Sequence, residues 1–192
     1  MQNRNNIDEL LAESFMKIAA EIPIEKITIK EITDKAGVIR PTFYNHFQDK
    51  YELIEWIVQN RIFGSVRVLL ENGMIREAII LIFRNLMNDK AFFVNAARLE
   101  GQNSFESIAE NCISATFLDI FFEKGKGHSA NNPWITPERM SGYYAHAMTY
   151  ILMSWIKSGM TVPAEEIAEV YQYIETKSLL DMIKEMEGIS LK

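Results

Sequence analysis

The break at Ala36-Gly37-Val38 limits most sharply what this chain can fold into. A short amphipathic stretch lies on either side, Thr28 to Lys35 before it and Arg40 to Phe47 after it. Glycine takes a positive φ at little steric cost, so Gly37 can turn the chain tightly between two helices. Ala36 is small and lets those helices approach. Ile32, Val38, Phe43 and Phe47 are spaced to face inward and lock the unit. Arg40, Thr42, Tyr44, Asn45 and His46 are left to project from the second helix. This is the layout of a helix-turn-helix, whose second helix has the size to enter the DNA major groove, where base edges are distinguishable.

The rest of the chain reads as helix by periodicity. Ile7, Leu10, Leu11, Phe15 and Ile18 mark one face of a first helix that Pro23 ends. Thr28 is placed to cap the next, and Asp49 to cap a helix that starts near Lys50 and reaches about Leu70. Helices are expected at about 74–88, 90–100 and 104–124, with Ser104 capping the last. Gly125, Gly127 and Asn131-Asn132-Pro133 mark the one long loop. Thr136-Pro137-Glu138 opens a helix that closes near Gly159, and Pro163 opens a final helix running to about Glu187 before Gly188. No repeat and no convincing strand is visible. The expected fold is all-α: an N-terminal three-helix helix-turn-helix unit over 1–50 and a larger helical unit over 51–192.

Composition narrows the function. A hydrophobic fraction of 48% over 192 residues supports a real core. The net charge of −6 argues against a general nucleic-acid binder. Residues 26–50 run against that trend, with Lys26, Lys30, Lys35, Arg40 and Lys50 opposed by Glu31, Asp34 and Asp49, a local excess of +2. Such an excess suits a small footprint on phosphate. Cys112 stands alone, so no intrachain disulfide is expected and a cytoplasmic setting fits. The polar opening Met1 to Asn6 does not read as a signal peptide, and the apolar stretches are too short to cross a bilayer. Arg4 reads equally as a mobile arm near DNA or as a plain terminus.

The window Gly37-Val-x-Arg-x-Thr42-Phe43-Tyr44-x-His46-Phe47-x-x-Lys50-x-x-Leu53 resembles the signature of TetR/AcrR-type transcriptional regulators, over about residues 7–58. The resemblance implies operator binding by a homodimer. It implies phosphate contacts from Thr28, Tyr44 and Lys50, and places Arg40, Pro41, Thr42, Asn45 and His46 nearest the base edges. Two residues depart from the pattern: Ile39 stands where a small capping residue is frequent, and Pro41 where glycine or a polar residue is. The resemblance also implies that the last two long helices pair with their copies in a second subunit. Gln102-Asn103-Ser104-Phe105 and Ser154 to Met160 resemble the subgroup of DhaS-like regulators of dihydroxyacetone use.

The C-terminal part is less specific. Phe92, Phe93, Trp134, Tyr143, Tyr144, Met148, Tyr150, Met153 and Trp155 form an aromatic and methionine-rich set suited to core, dimer interface and cavity wall. Asn95, Arg98, Gln102, Asn103, His146 and Tyr150 are the candidates to orient a small-molecule effector. His46, His128 and His146 lack partners at metal-ligand spacing, so no metal and no cofactor is expected. Cys112 reads as a buried small residue. Ser104, Ser141 and Ser154 suggest no Ser-His-Asp arrangement, and the Glu165, Glu166, Glu169 run reads as a solvated helix face. The chain is not expected to be an enzyme. The favoured reading is a DNA-binding regulator, by family habit a repressor released by a small-molecule effector. An activator, or an adaptor controlled by a partner protein, is the alternative.

Overall fold

The computed structural model describes residues 2–124 and 132–189; residues 125–131, with the loop glycines Gly125 and Gly127, Asn131 and His128, and the Arg4 side chain, lie outside the described residues. The described residues are helical, with no strand among them. Helix α1 (Gln2–Ala19) leads through a short turn at Ile24–Lys26 into α2 (Ile29–Ala36) and α3 (Arg40–Tyr44). Helix α4 (Lys50–Ile57) continues as a wider π turn over Val58–Phe63, and α5 (Arg67–Glu71) follows. Helices α6 (Ile75–Asn88), α7 (Lys90–Ala96) and α8 (Phe105–Lys124) precede the undescribed loop. Helices α9 (Pro137–Lys157), α10 (Ala164–Thr176) and α11 (Leu179–Ile189) complete the chain's described part.

The caps explain most boundaries. Asp49 accepts the N–H groups of Tyr51 and Glu52 at 2.8 and 2.9 Å and starts α4. Ser104 accepts the Ser107 N–H at the head of α8, and Thr136 accepts the Arg139 N–H at the head of α9. The first helix stops at Ala19, before Pro23, which instead opens the Ile24–Lys26 turn.

Three expectations need correction. The final helix is two helices, because Lys177 is extended and Ser178 starts a new one by accepting the Asp181 N–H at 3.1 Å. The Ser178 hydroxyl also donates to the Asp181 carboxylate at 2.6 Å, a capping pair readable as Ser-x-x-Asp. The helix expected at about 90–100 ends at Ala96. The helix expected from Lys50 to about Leu70 is not uniform: its π turn leaves backbone carbonyls over, and Asn85 on α6 donates to those of Arg61 and Ile62 at 3.1 and 3.4 Å.

One apolar core runs from Leu11 on α1 to Tyr171 on α10. Rings carry it between the two parts of the chain. Phe15 of α1 meets Phe92 of α7 edge-on at 5.8 Å, Phe92 meets Phe93 at 5.1 Å, and Phe93 meets Phe105 of α8 at 5.8 Å. Deeper in the larger part, Phe83 and Trp155 pack edge-to-face at 5.2 Å while the Trp155 indole donates to the Val162 carbonyl.

Two glycines mark backbone that other residues adopt only at a cost. Gly37 sits at φ 68° with open space around it, so an alanine there meets only conformational strain of about 1 kcal/mol. A Cβ on Gly64 falls 2.5 Å from the Asn60 carbonyl oxygen, so backbone must shift. Urea unfolding is expected to show both Gly37→Ala and Gly64→Ala destabilised, the second more than the first. Equal midpoints for Gly64→Ala and the parent would contradict the π-turn geometry.

Candidate nucleic-acid interface and ligand cavity

The turn unit is assembled from local bonds. Thr28 accepts the Glu31 N–H at 3.2 Å, and Glu31 accepts the Thr28 N–H at 2.7 Å and its hydroxyl at 2.8 Å. This reciprocal cap starts α2, and the Thr28 bonds hold the Glu31 carboxyl below its usual range. At the other end Gly37 caps α2 in the left-handed region, and the Val38 N–H returns to the Thr33 carbonyl. Buried Thr33 bonds its hydroxyl to the backbone of the same helix, so that hydroxyl is paired beneath the turn.

Helix α3 is shorter than the expected Arg40 to Phe47, with a turn carrying the chain on to Phe47. Phe43 is fully buried and Phe47 nearly so, and their rings lie 5.8 Å apart. Burying one such ring contributes about 2 kcal/mol, which a helix this short needs. Ile32 is buried as expected and Val38 half-buried. Arg40, Pro41, Tyr44 and Asn45 are exposed together on the outer side, with Thr42 and His46 half-buried beside them. Tyr44 is 51% exposed, and the Arg40 guanidinium donates to its hydroxyl at 3.4 Å. Lys26 and Lys35 of this unit are also exposed, whereas Lys30 is paired with Asp34.

Two of the sequence candidates also hold the unit together. His46 Nδ1 lies 2.6 Å from the carboxylate of nearly buried Asp8, tying the end of the α3 turn to α1. Lys50 donates to the carbonyls of Ile24, Glu25 and Ile27 at 2.8, 2.9 and 2.9 Å, so all three of its N–H groups are used inside the protein. Burial draws its ammonium below the ordinary value, with Glu25 and Asp49 opposing that shift. No local pattern marks Asp8, whose partner lies 38 residues away.

The six effector candidates do not converge. Asn95 donates to the Ala19 and Ile22 carbonyls at 2.6 and 2.7 Å, fastening α7 to the end of α1, and Arg98 borders the same open groove. Gln102 and Asn103 lie instead beside Gln48 and Asp49. His146 is exposed opposite Glu110 at 3.5 Å, and Tyr150 is exposed on α9. A cavity of about 420 Å³ sits elsewhere, walled by Phe63 of the π turn, Ile82 of α6, Phe117 of α8, Met148 of α9, and Tyr171 and Glu175 of α10. Tyr144 and Met148 of the aromatic set line it; Phe92, Phe93, Met153 and Trp155 are buried in the core, and Trp134, Tyr143 and Tyr150 are exposed. The signal for the cavity lay in the i, i+3, i+4 spacing of Ile113, Thr116, Phe117, Ile120 and Phe121 on α8. Cys112 is buried, and that burial first, then Glu55, pushes its thiol up to about 12.

A capped helix-turn-helix set on a helical body with an apolar cavity defines a helix-turn-helix transcriptional regulator. Residues 16–57 match the family described as bacterial regulatory proteins, tetR family, and residues 73–176 match a transcriptional regulator C-terminal region. The chain belongs to the TetR family of transcriptional regulators. A curated relative, the dhaKLM operon transcriptional activator DhaS of Lactococcus lactis, is 25% identical over 85 residues, which are 44% of this chain and 46% of the relative. The chain thus spans about half the length of the curated relative it matches. A solved structure titled dihydroxyacetone kinase operon activator DhaS aligns at a TM-score of 0.60 with 20% identity, covering 93% of this chain and 96% of the other. The repressor FadR of Thermus thermophilus, solved with lauroyl-CoA, aligns at 0.60 with 15% identity over 87% and 92%. At these identities the solved structures establish the shared fold.

Ile39 is 69% exposed at the N-cap of α3 and offers no side-chain acceptor. Ile39→Ser adds a side-chain acceptor for the Thr42 N–H, which otherwise has only the Ile39 carbonyl at 2.9 Å, and a gain of about 0.5–1 kcal/mol over Ile39→Ala is expected. Thermal unfolding should show a midpoint a few degrees above that of Ile39→Ala; a midpoint no higher would mean that the cap is already satisfied.

Proposed function

We propose that this chain binds operator DNA as a homodimer, with α3 of each subunit in a major groove and Arg40, Pro41, Thr42, Asn45 and His46 toward the base edges. Tyr44 and Thr28 are the phosphate contacts in this reading, and Lys50 adds charge while its N–H groups hold the chain before α2. The carrying observation is the outward face Arg40–Tyr44–Asn45 on a helix whose other side is locked by Phe43. The domain division is 1–50 for DNA and 51–192 for effector and dimerisation, with α4 belonging to the packing of both. No described helix is long and apolar enough to cross a membrane, and a protein that meets operator DNA works in the cytoplasm.

Exposed apolar side chains support the dimer. Tyr143 and Tyr150 lie two turns apart on α9, and Val170, Tyr173 and Ile174 are exposed on α10. The proposed effector occupies the apolar cavity. Its influence reaches the DNA unit through the π turn, where Phe63 lines the cavity and Arg61 ion-pairs with Glu9 and Glu13 of α1. A molecule that displaces Phe63 acts on the segment that holds α1, and α1 holds His46. An effector lowers or raises operator affinity only by its different affinity for the two arrangements. Repression relieved by the effector is the first reading; the naming of the curated relative as an activator favours activation as the second.

Selection from a random duplex pool tests the DNA claim. A two-fold symmetric site is expected, bound with steep salt dependence. Tyr44→Ala should weaken that binding at least tenfold. No enrichment, or equal affinity for Tyr44→Ala, would contradict the placement of α3 and favour the adaptor reading.

A further inference from the structure

The cavity has a chemical polarity as well as a size. Its walls are aliphatic and aromatic, and among the described lining residues Glu175 is the one side chain with a formal charge. Glu175 is half-buried at the α10 edge of the cavity, next to exposed Thr176 at the rim. Among the described residues no cation pairs with it, although two acids earlier on α10 are paired with arginines of α6: Glu165 with Arg84 and Glu169 with Arg76. Burial accordingly holds the Glu175 carboxyl above its ordinary range. The carboxylate also stands near enough to Tyr171 to add to the burial that pushes that phenol up, so acid and aromatic ring share one corner of the cavity.

A charge in a low-dielectric wall is costly when alone and favourable when matched. A ligand carboxylate or phosphate placed here meets like charge at a partly desolvated edge. A neutral ligand leaves Glu175 as it is. A ligand ammonium supplies the missing counter-ion, and the faces of Tyr171 and Tyr144 favour the same sign of charge. The volume of about 420 Å³ falls within the range that encloses most of a small organic molecule.

We infer that this cavity takes an aliphatic or aromatic molecule with one cationic nitrogen, the nitrogen paired with Glu175 and the apolar body lying among Phe117, Met148 and Tyr171. The inference rests on the cavity being the effector site, and it names the ligand's chemical class.

Three probes with one tail and different heads test it: decylamine, decanol and decanoate, titrated calorimetrically into the full chain at neutral pH below their micellar concentrations. Decylamine is expected to bind about tenfold tighter than decanol, with decanoate the weakest. E175Q should bring decylamine down to the affinity of decanol and leave decanol within about twofold, which also shows that the variant is folded. Decanoate binding as tightly as decylamine in the parent protein overturns the inference whatever the variant does. So does an amine preference unchanged in E175Q. Both outcomes leave the cavity standing as a binding site. Failure of all three probes to bind the parent removes the cavity reading itself, and the inference with it.

Discussion

A helix as short as Arg40–Tyr44 cannot hold its own shape in water, because the first turn fixes several residues for a single hydrogen bond. Every property assigned to the DNA face therefore depends on what lies beneath it. Phe43 is driven into the core and fixes which side of α3 looks outward. The 2.6 Å contact of His46 with Asp8 fixes the far end of the turn against α1. Lys50 gathers three carbonyls and fixes the strand of chain that leads into α2. A recognition surface built in this way is rigid only while α1 is in place.

Helix α1 is also where the larger part of the protein takes hold. Asn95 grips the carbonyls at its C-terminal end, Phe92 stacks edge-on against Phe15, and Arg61 pairs with Glu9 and Glu13 along its side. The Arg61 contact comes from a π turn, a wide winding whose spare carbonyls are held by Asn85. Phe63, two residues further on, faces the cavity. One short segment thus touches the cavity on one side and the helix-turn-helix unit on the other. Under the proposed function, control by an effector needs no movement of α3 relative to α1, only of α1 relative to the body.

Much of this was legible in the chain because local rules set it. Thr28 with Glu31, Gly37, Asp49 and Thr136 act within a few residues, and each formed the cap or turn its type favours. The inward residues Ile32, Phe43 and Phe47 followed from helical spacing. What stayed hidden is long-range. The partners of His46, Asn95 and Arg61 lie tens of residues away and carry no periodic mark. Four of the polar residues first considered for an effector, Asn95, Arg98, Gln102 and Asn103, are near neighbours in sequence, yet α7 ends at Ala96, so Asn95 bonds to the end of α1 while Gln102 and Asn103, in a separate turn, lie beside the start of α4. The cavity is instead made of apolar positions that, taken singly, look like ordinary core.

The central claim is that α3 enters the major groove, held there by α1, once in each half of a symmetric site. Methylation protection on a bound operator duplex tests it directly, since guanine N7 is exposed in the major groove and adenine N3 in the minor groove. The account predicts protected guanines in two clusters on one face of the duplex, about one helical turn or a whole multiple apart. Protection confined to adenine N3, or a single cluster with no symmetric mate, would contradict it.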